Sequence, residues 1–141
     1  MDIDLSAPFT LDSWDVTADP APADPAPADP APADAGAPVT GLAVLTKTYA
    51  GGDLTGTATG HALTTQGPGG AAYVAQERIA GTIAGRTGSF VLGHGASGGP
   101  GHEDVMRAAI VPGSGTGGLA GISGSGRLEH GLLTLRVVLA D

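Results

Sequence analysis

Apolar and polar residues alternate along most of this chain, and the clearest run is Tyr73–His94, Tyr-Val-Ala-Gln-Glu-Arg-Ile-Ala-Gly-Thr-Ile-Ala-Gly-Arg-Thr-Gly-Ser-Phe-Val-Leu-Gly-His. A period of two puts successive side chains on opposite faces of a strand. The pair Gly85-Arg86, glycine first, predicts a two-residue type II′ turn joining two strands. That turn sets Ala84 against Thr87, Gly81 against Phe90, Ile79 against Leu92 and Glu77 against His94. Tyr73, Ala75, Glu77, Ile79, Gly81, Phe90, Leu92 and His94 then share one face, which is mostly apolar and therefore inward. Gln76, Arg78, Thr82 and Ser89 occupy the other, as a solvated surface requires. The pattern thus places an acid against a base on an inner face. Gly81 opposite Phe90 reads as a ring covering a bare glycine.

The same period recurs in short β-rich runs near 6–17, 40–49, 54–65, 71–84, 87–95, 104–111, 117–125 and 131–139. No segment shows helical periodicity, and 25 Gly with 11 Pro disfavour long helices. Eight strands with short links predict an all-β protein, a single eight-stranded antiparallel barrel in which closure removes exposed strand edges. Glycines inside the runs, at 56, 60, 81, 117, 118, 121 and 124, suit bends in a coiled sheet. Many inward positions are Gly or Ala, which is compatible with either a flattened barrel or an unfilled cavity.

Charge changes the picture only once it is located. The formal net charge is -8. Asp2, Asp4, Asp12, Asp15, Asp19, Asp24, Asp29 and Asp34 precede any Lys or Arg, and the remaining chain is balanced. A balanced body without a basic patch is a poor nucleic-acid binder. Between Asp19 and Asp34 runs the repeat Asp-Pro-Ala-Pro-Ala, whose alternate prolines predict an extended loop after the first strand, a flexible or polyproline-like insert over residues 19–38. Successive aspartates there stand about 15 Å apart, too far to share one ion, so the segment reads as a spacer within a single domain. The chain has no cysteine, which excludes disulfides and thiolate metal sites. No apolar run reaches transmembrane length, and Met1-Asp-Ile-Asp-Leu5 is unlike a signal peptide, so a cytoplasmic location away from membranes is expected.

Several runs carry a family resemblance: Ser13-Trp14-Asp15, Thr46-Lys47-Thr48-Tyr49, Gly52-Asp53-Leu54-Thr55-Gly56-Thr57, Ala72-Tyr73-Val74-Ala75, Gly81-Thr82, Gly85 through His94, and Val111 through Gly117. Together they span almost the whole chain in order. The chain resembles the bacterial domain of unknown function family 3224, and the resemblance implies a fold similar to the allene oxide cyclase barrel without implying an activity. The proline repeat departs from that pattern. His61 and Gly118 stand where acidic residues are expected, and Met106–Ala108 and Arg136 where aromatics are expected. Those replacements imply a more open or differently shaped interior.

Glu77 with His94 is the sharpest chemical candidate. An inward carboxylate beside an imidazole does general acid–base work, or else the two simply satisfy each other as buried polar groups. Tyr73 shares their face and can offer a hydroxyl. Trp14 reads as a core or barrel-mouth residue, and Lys47 as a strand-face charge with a snorkelling stem. Gly113–Gly118 fits G-x-G-x-x-G and Gly95–Gly99 fits G-x-S-x-G, but neither precedes a helix, which both motifs require. The second reads as a flexible loop. His102, Glu103 and Asp104 with His61, His94 or His130 lack metal-ligand spacing. No cofactor is implied.

These features predict a self-associating barrel, most simply a dimer, holding a small, partly apolar ligand. Glu77 and His94 would orient its polar end, and Tyr73, Phe90, Leu92 and Trp14 would contact its body. The competing readings are an isomerase or cyclase with Glu77 as acid–base group, and a filled barrel acting through its surface.

Overall fold

The computed structural model describes residues 1–18 and 38–141, so the Asp-Pro-Ala-Pro-Ala repeat, and the spacer expected there, lie outside the described residues. The strands are β1 (Asp2–Ala18), β2 (Val39–Tyr49), β3 (Leu54–Gly67), β4 (Gly70–Ile83), β5 (Arg86–Gly99), β6 (His102–Ile110), β7 (Thr116–Gly117), β8 (Ser123–Glu129) and β9 (Leu132–Val138). No helix occurs among the described residues. Every pairing is antiparallel, in the order β1-β2-β3-β4-β5-β6-β8-β9, and β9 returns to β1. Eight strands therefore close into a ring, with only Ala108 and Ala109 of β6 paired to β8 at one seam. The two-residue β7 pairs with β5 at Gly88 and Ser89, beyond the end of β6.

Three sequence expectations need correction. The run 117–125 is not one strand: Gly118–Gly121 turns and β8 begins at Ser123, the positive φ of Gly121 (80°) helping to reverse the chain. Residues 95–99 are not a loop but the end of β5, paired with β4 and β6. The β4–β5 turn is Ala84-Gly85 rather than Gly85-Arg86, with φ of 51° and 77°. Two positive φ values make a type I′ turn, whose twist matches that of the flanking strands. Moving the turn by one residue moves the register by two. Gly81 faces Gly88, Ile79 faces Phe90, Glu77 faces Leu92 and Ala75 faces His94. A shift of two preserves facing, so the inner set is unchanged while each partner differs.

The interior is built by parity. Ala43, Leu45, Lys47 and Tyr49 on β2 are buried, as are Ala75, Glu77, Ile79 and Ile83 on β4. Between them, the inward side of β3 is small: Gly56, Ala58, Gly60 and Ala62. A Cβ added at Gly60 would sit 2.5 Å from the Gln76 carbonyl oxygen and 2.8 Å from the Glu77 Cβ, so only glycine permits this approach of β3 to β4. The low wall of β3 lets side chains of β2 reach those of β4. In β1, a bulge between Leu11 and Ser13 shifts the alternation by one. Ile3, Leu5, Ala7 and Phe9 face inward before it, and Trp14 and Val16, opposite Leu45 and Ala43, after it.

Two apolar clusters result. The larger includes Leu5, Tyr49, Leu54, Ile79, Phe90, Leu92, Ile110, Leu133 and Leu135, and the smaller consists of Ala43, Leu45, Ala62 and Ala75 with Tyr73 against it. Along β2, β3 and β4, Lys47, Gly60 and Glu77 fall between the two clusters. A polar layer thus crosses an otherwise apolar interior.

Candidate functional site: a buried carboxylate beneath an open cavity

Glu77 is fully enclosed, at 0% exposure, and both its oxygens are engaged. Lys47 Nζ donates to Oε2 at 2.7 Å, His94 Nε2 lies 2.8 Å from the same oxygen, and Tyr49 Oη donates to Oε1 at 2.5 Å. Lys47 and Tyr49 reach the carboxylate across Ala58 and Gly56, where β3 offers no bulk. The Lys47 ammonium also lies 4.3 Å from the centroid of the Phe9 ring, which itself tilts against Tyr49. Among the described residues no buried side-chain polar atom lacks a hydrogen-bond partner.

Lys47 corrects the sequence reading. It is 4% exposed and ion-paired rather than snorkelling from an outer face. The signal was present, because Lys47 shares the parity of Ala43, Leu45 and Tyr49. Residue type points to solvent and strand parity to the interior, and parity prevails because Glu77 supplies the countercharge. Tyr49, matched to a family motif but assigned no role, was legible by the same parity.

Electrostatics separates the members of the cluster. Burial pushes the Glu77 carboxyl upward, but the hydrogen bonds from His94, Lys47 and Tyr49 and the Lys47 charge outweigh it and hold it below the ordinary carboxylate value. Burial, the Glu77 charge and the hydrogen bond to it drive the Tyr49 hydroxyl far above its ordinary value. Tyr73 is raised by burial and by Glu77. Glu77 is thus an anion, and both phenols stay protonated, with Tyr49 donating to it.

From the carboxylate a chain of contacts runs toward one end of the ring. Tyr73 Oη lies 3.0 Å from His94 Nδ1, on the side of the imidazole opposite Glu77. Its ring packs edge-on against His94 (centroids 5.4 Å) and against Trp14 (6.3 Å, 89°). His94 meets Glu77 diagonally across β4 and β5 rather than directly opposite, a reach available to long side chains.

Trp14 and Tyr73 open onto a cavity of about 710 Å³ between the ends of β1 to β6 and the β8–β9 turn. Val16, Val39, Val105 and Met106 add apolar wall, while Thr64, Gln66, Asp104, Glu129 and His130 bring polar groups. A second concavity, of about 400 Å³, lies where Gly93 and Gly95 leave β5 bare beside Val74, Val105 and Arg107. Of the expected ligand-contacting residues, Trp14 and Tyr73 line the larger cavity and His94 the smaller. Glu77, Phe90 and Leu92 line neither; Phe90 and Leu92 are fully buried in the larger apolar cluster. Neither glycine motif precedes a helix: Gly95–Gly99 is strand, and Gly113–Gly118 contains β7 between two turns. Among the described residues no three His, Asp or Glu side chains converge as a metal site, and no helix is long and apolar enough to cross a membrane.

A comparison with curated proteins finds no match. Among solved structures, the chain is similar to a protein of unknown function from the DUF3224 family of Shewanella oneidensis, with a TM-score of 0.70 and 24% identity over 100% of this chain and 98% of that one. That likeness speaks to the fold. The family model described as "Protein of unknown function (DUF3224)" matches residues 6–131, from within β1 through the end of β8 and including Glu77, and the chain belongs to that family.

Proposed function

We propose that this protein binds a small, partly apolar molecule at the open end of a barrel of the allene oxide cyclase kind, with Tyr73 and Trp14 as the contacting floor. The observation that carries this reading is the cavity of about 710 Å³, apolar in its walls and floored by a tyrosine anchored through His94 to a buried carboxylate. Ligand sites are concave, mostly apolar and supplied with a few oriented polar groups. The buried layer serves that end by fixing Tyr73. Its hydroxyl is tied to an imidazole that is tied in turn to Glu77, so the ring has little rotational freedom left to lose on binding. The isomerase or cyclase reading lacks such support, since Glu77 lines neither concavity and its oxygens are occupied by Lys47, Tyr49 and His94.

Trp14 is the sole tryptophan of the chain, so its fluorescence reports on this cavity. Native mass spectrometry of the purified protein is expected to show a co-purifying small molecule, and Ala96→Phe, which places a ring in the cavity, is expected to abolish it without unfolding the protein. Absence of any bound molecule, with no Trp14 response to small aromatic alcohols at millimolar concentration, refutes the reading.

A further inference from the structure

The chemical class of the ligand can be argued from charge, resting on the ligand-binding reading above. Among the described residues the cavity lining contains no Lys or Arg. It does contain Asp104, Glu129 and His130. Glu129 is paired with Arg127, which holds its carboxyl below the ordinary value. Asp104 has no hydrogen bond or ion pair among the described residues. Its carboxylate lies over the bare backbone of Gly98, where an added Cβ would come within 2.1 Å of Oδ1. One uncompensated anion therefore faces the cavity, and the charged layer beneath is internally matched, Lys47 against Glu77.

The floor has the same preference. The ionised Glu77 carboxylate can only accept, so His94 Nε2–H donates to it, and the Tyr73 hydroxyl is engaged at Nδ1 on the other side of the ring. The phenol oxygen keeps a lone pair to offer a neighbour. Two aromatic rings, Trp14 and Tyr73, supply negative π faces. A carboxylate ligand would meet no Lys or Arg here and would lie near an anion.

We propose that the cavity takes a partly apolar organic cation, an aryl- or alkylammonium whose ring or chain packs on Trp14 and Tyr73 and whose ammonium is countered by Asp104.

Three probes of similar size and different charge test this by Trp14 fluorescence: phenethylamine, phenethyl alcohol and phenylacetate. At low salt the amine is expected to bind roughly three- to tenfold more tightly than the alcohol, from one partly exposed ion pair and a cation–π contact. Phenylacetate is expected to bind more weakly than either. The amine's advantage should shrink at high ionic strength and in Asp104→Asn, while affinity for the alcohol stays the same. Binding of phenylacetate as tight as the amine, or an unchanged amine preference in Asp104→Asn, overturns the assignment and leaves the binding reading in place. Failure of all three probes counts against the binding reading itself.

Discussion

The pairing of Lys47 with Glu77 admits a quantitative test through Lys47→Met, Glu77→Gln and the double variant. Methionine keeps the length of the lysine stem and a favourable sulfur contact with the Phe9 ring. Each single change leaves one buried charge without its partner. For sites 4% and 0% exposed this costs about 3–5 kcal/mol, a large part of the roughly 5–15 kcal/mol that holds a domain of this kind together. At about 3–4 °C per kcal/mol for this size, either single variant should melt roughly 10–20 °C lower. The double variant removes both charges, and the glutamine oxygen still accepts from Tyr49 or His94. Its penalty falls to that of an imperfectly paired amide, about 1–3 kcal/mol. The double variant should therefore be more stable than either single one, with a coupling energy of at least about 3 kcal/mol. Urea unfolding followed by circular dichroism measures all four corners of the cycle. The pH dependence has a defined sign. Without Lys47, burial raises the Glu77 carboxyl, so the Lys47→Met penalty should be larger at about pH 8 than at about pH 5. Additive penalties, or singles within about 1 kcal/mol of wild type, would show that the pair is screened by water and refute the buried layer.

In the wild type the sign is opposite: Glu77 is held below its ordinary value, so its contribution is present above the unfolded value of about pH 4.3 and is lost as pH falls through the lower folded value. The stability gap between wild type and Glu77→Gln, from denaturant melts on a pH series, should narrow across that window; a constant gap contradicts the assignment. Gly60→Ala drives a methyl into the backbone beside Glu77 and should destabilise by about 1–3 kcal/mol, visible as a lower urea midpoint, whereas a neutral result would mean that β3 is not held so close to β4. Ala84→Asn places a residue tolerant of positive φ at the first turn position and should raise stability by about 0.5–1 kcal/mol in the same assay; a loss would argue for another turn. Phe90→Ala, at a fully buried core position, should lower stability by about 3–5 kcal/mol and lower ligand affinity only as far as the fold is lost, and a selective loss of binding at unchanged stability would place Phe90 in the site after all.

How far the site was legible follows from these residues. The inward set on β4 and β5 could be read from the period of two, and it survived an error in the turn because the register moved by an even number. The partners within that set were another matter. Whether Glu77 faces Leu92 or His94 depends on which residues take positive φ, and Ala84 gives no such signal. Lys47 was legible by parity and was misread by residue type. Phe90 and Leu92 lie on the predicted face, yet facing inward does not distinguish a packed wall from a cavity wall.

The sequence alone determined the all-β class, the approximate extent of most strands and which side chains point inward, because alternation is a local property of an extended backbone. It also placed the negative charge in the first quarter of the chain. Closure of eight strands was expected from their number, but the meeting of Lys47, Tyr49, Glu77 and His94 was decided only by the tertiary structure. These residues come from three strands, and their contacts depend on sheet coiling, on the β1 bulge that turns Trp14 inward, and on how closely β3 lies against β4 at Gly60. Such distances arise from packing across the ring. A one-dimensional pattern of apolar and polar residues carries the direction of each side chain but not the separation between the strands that bear them.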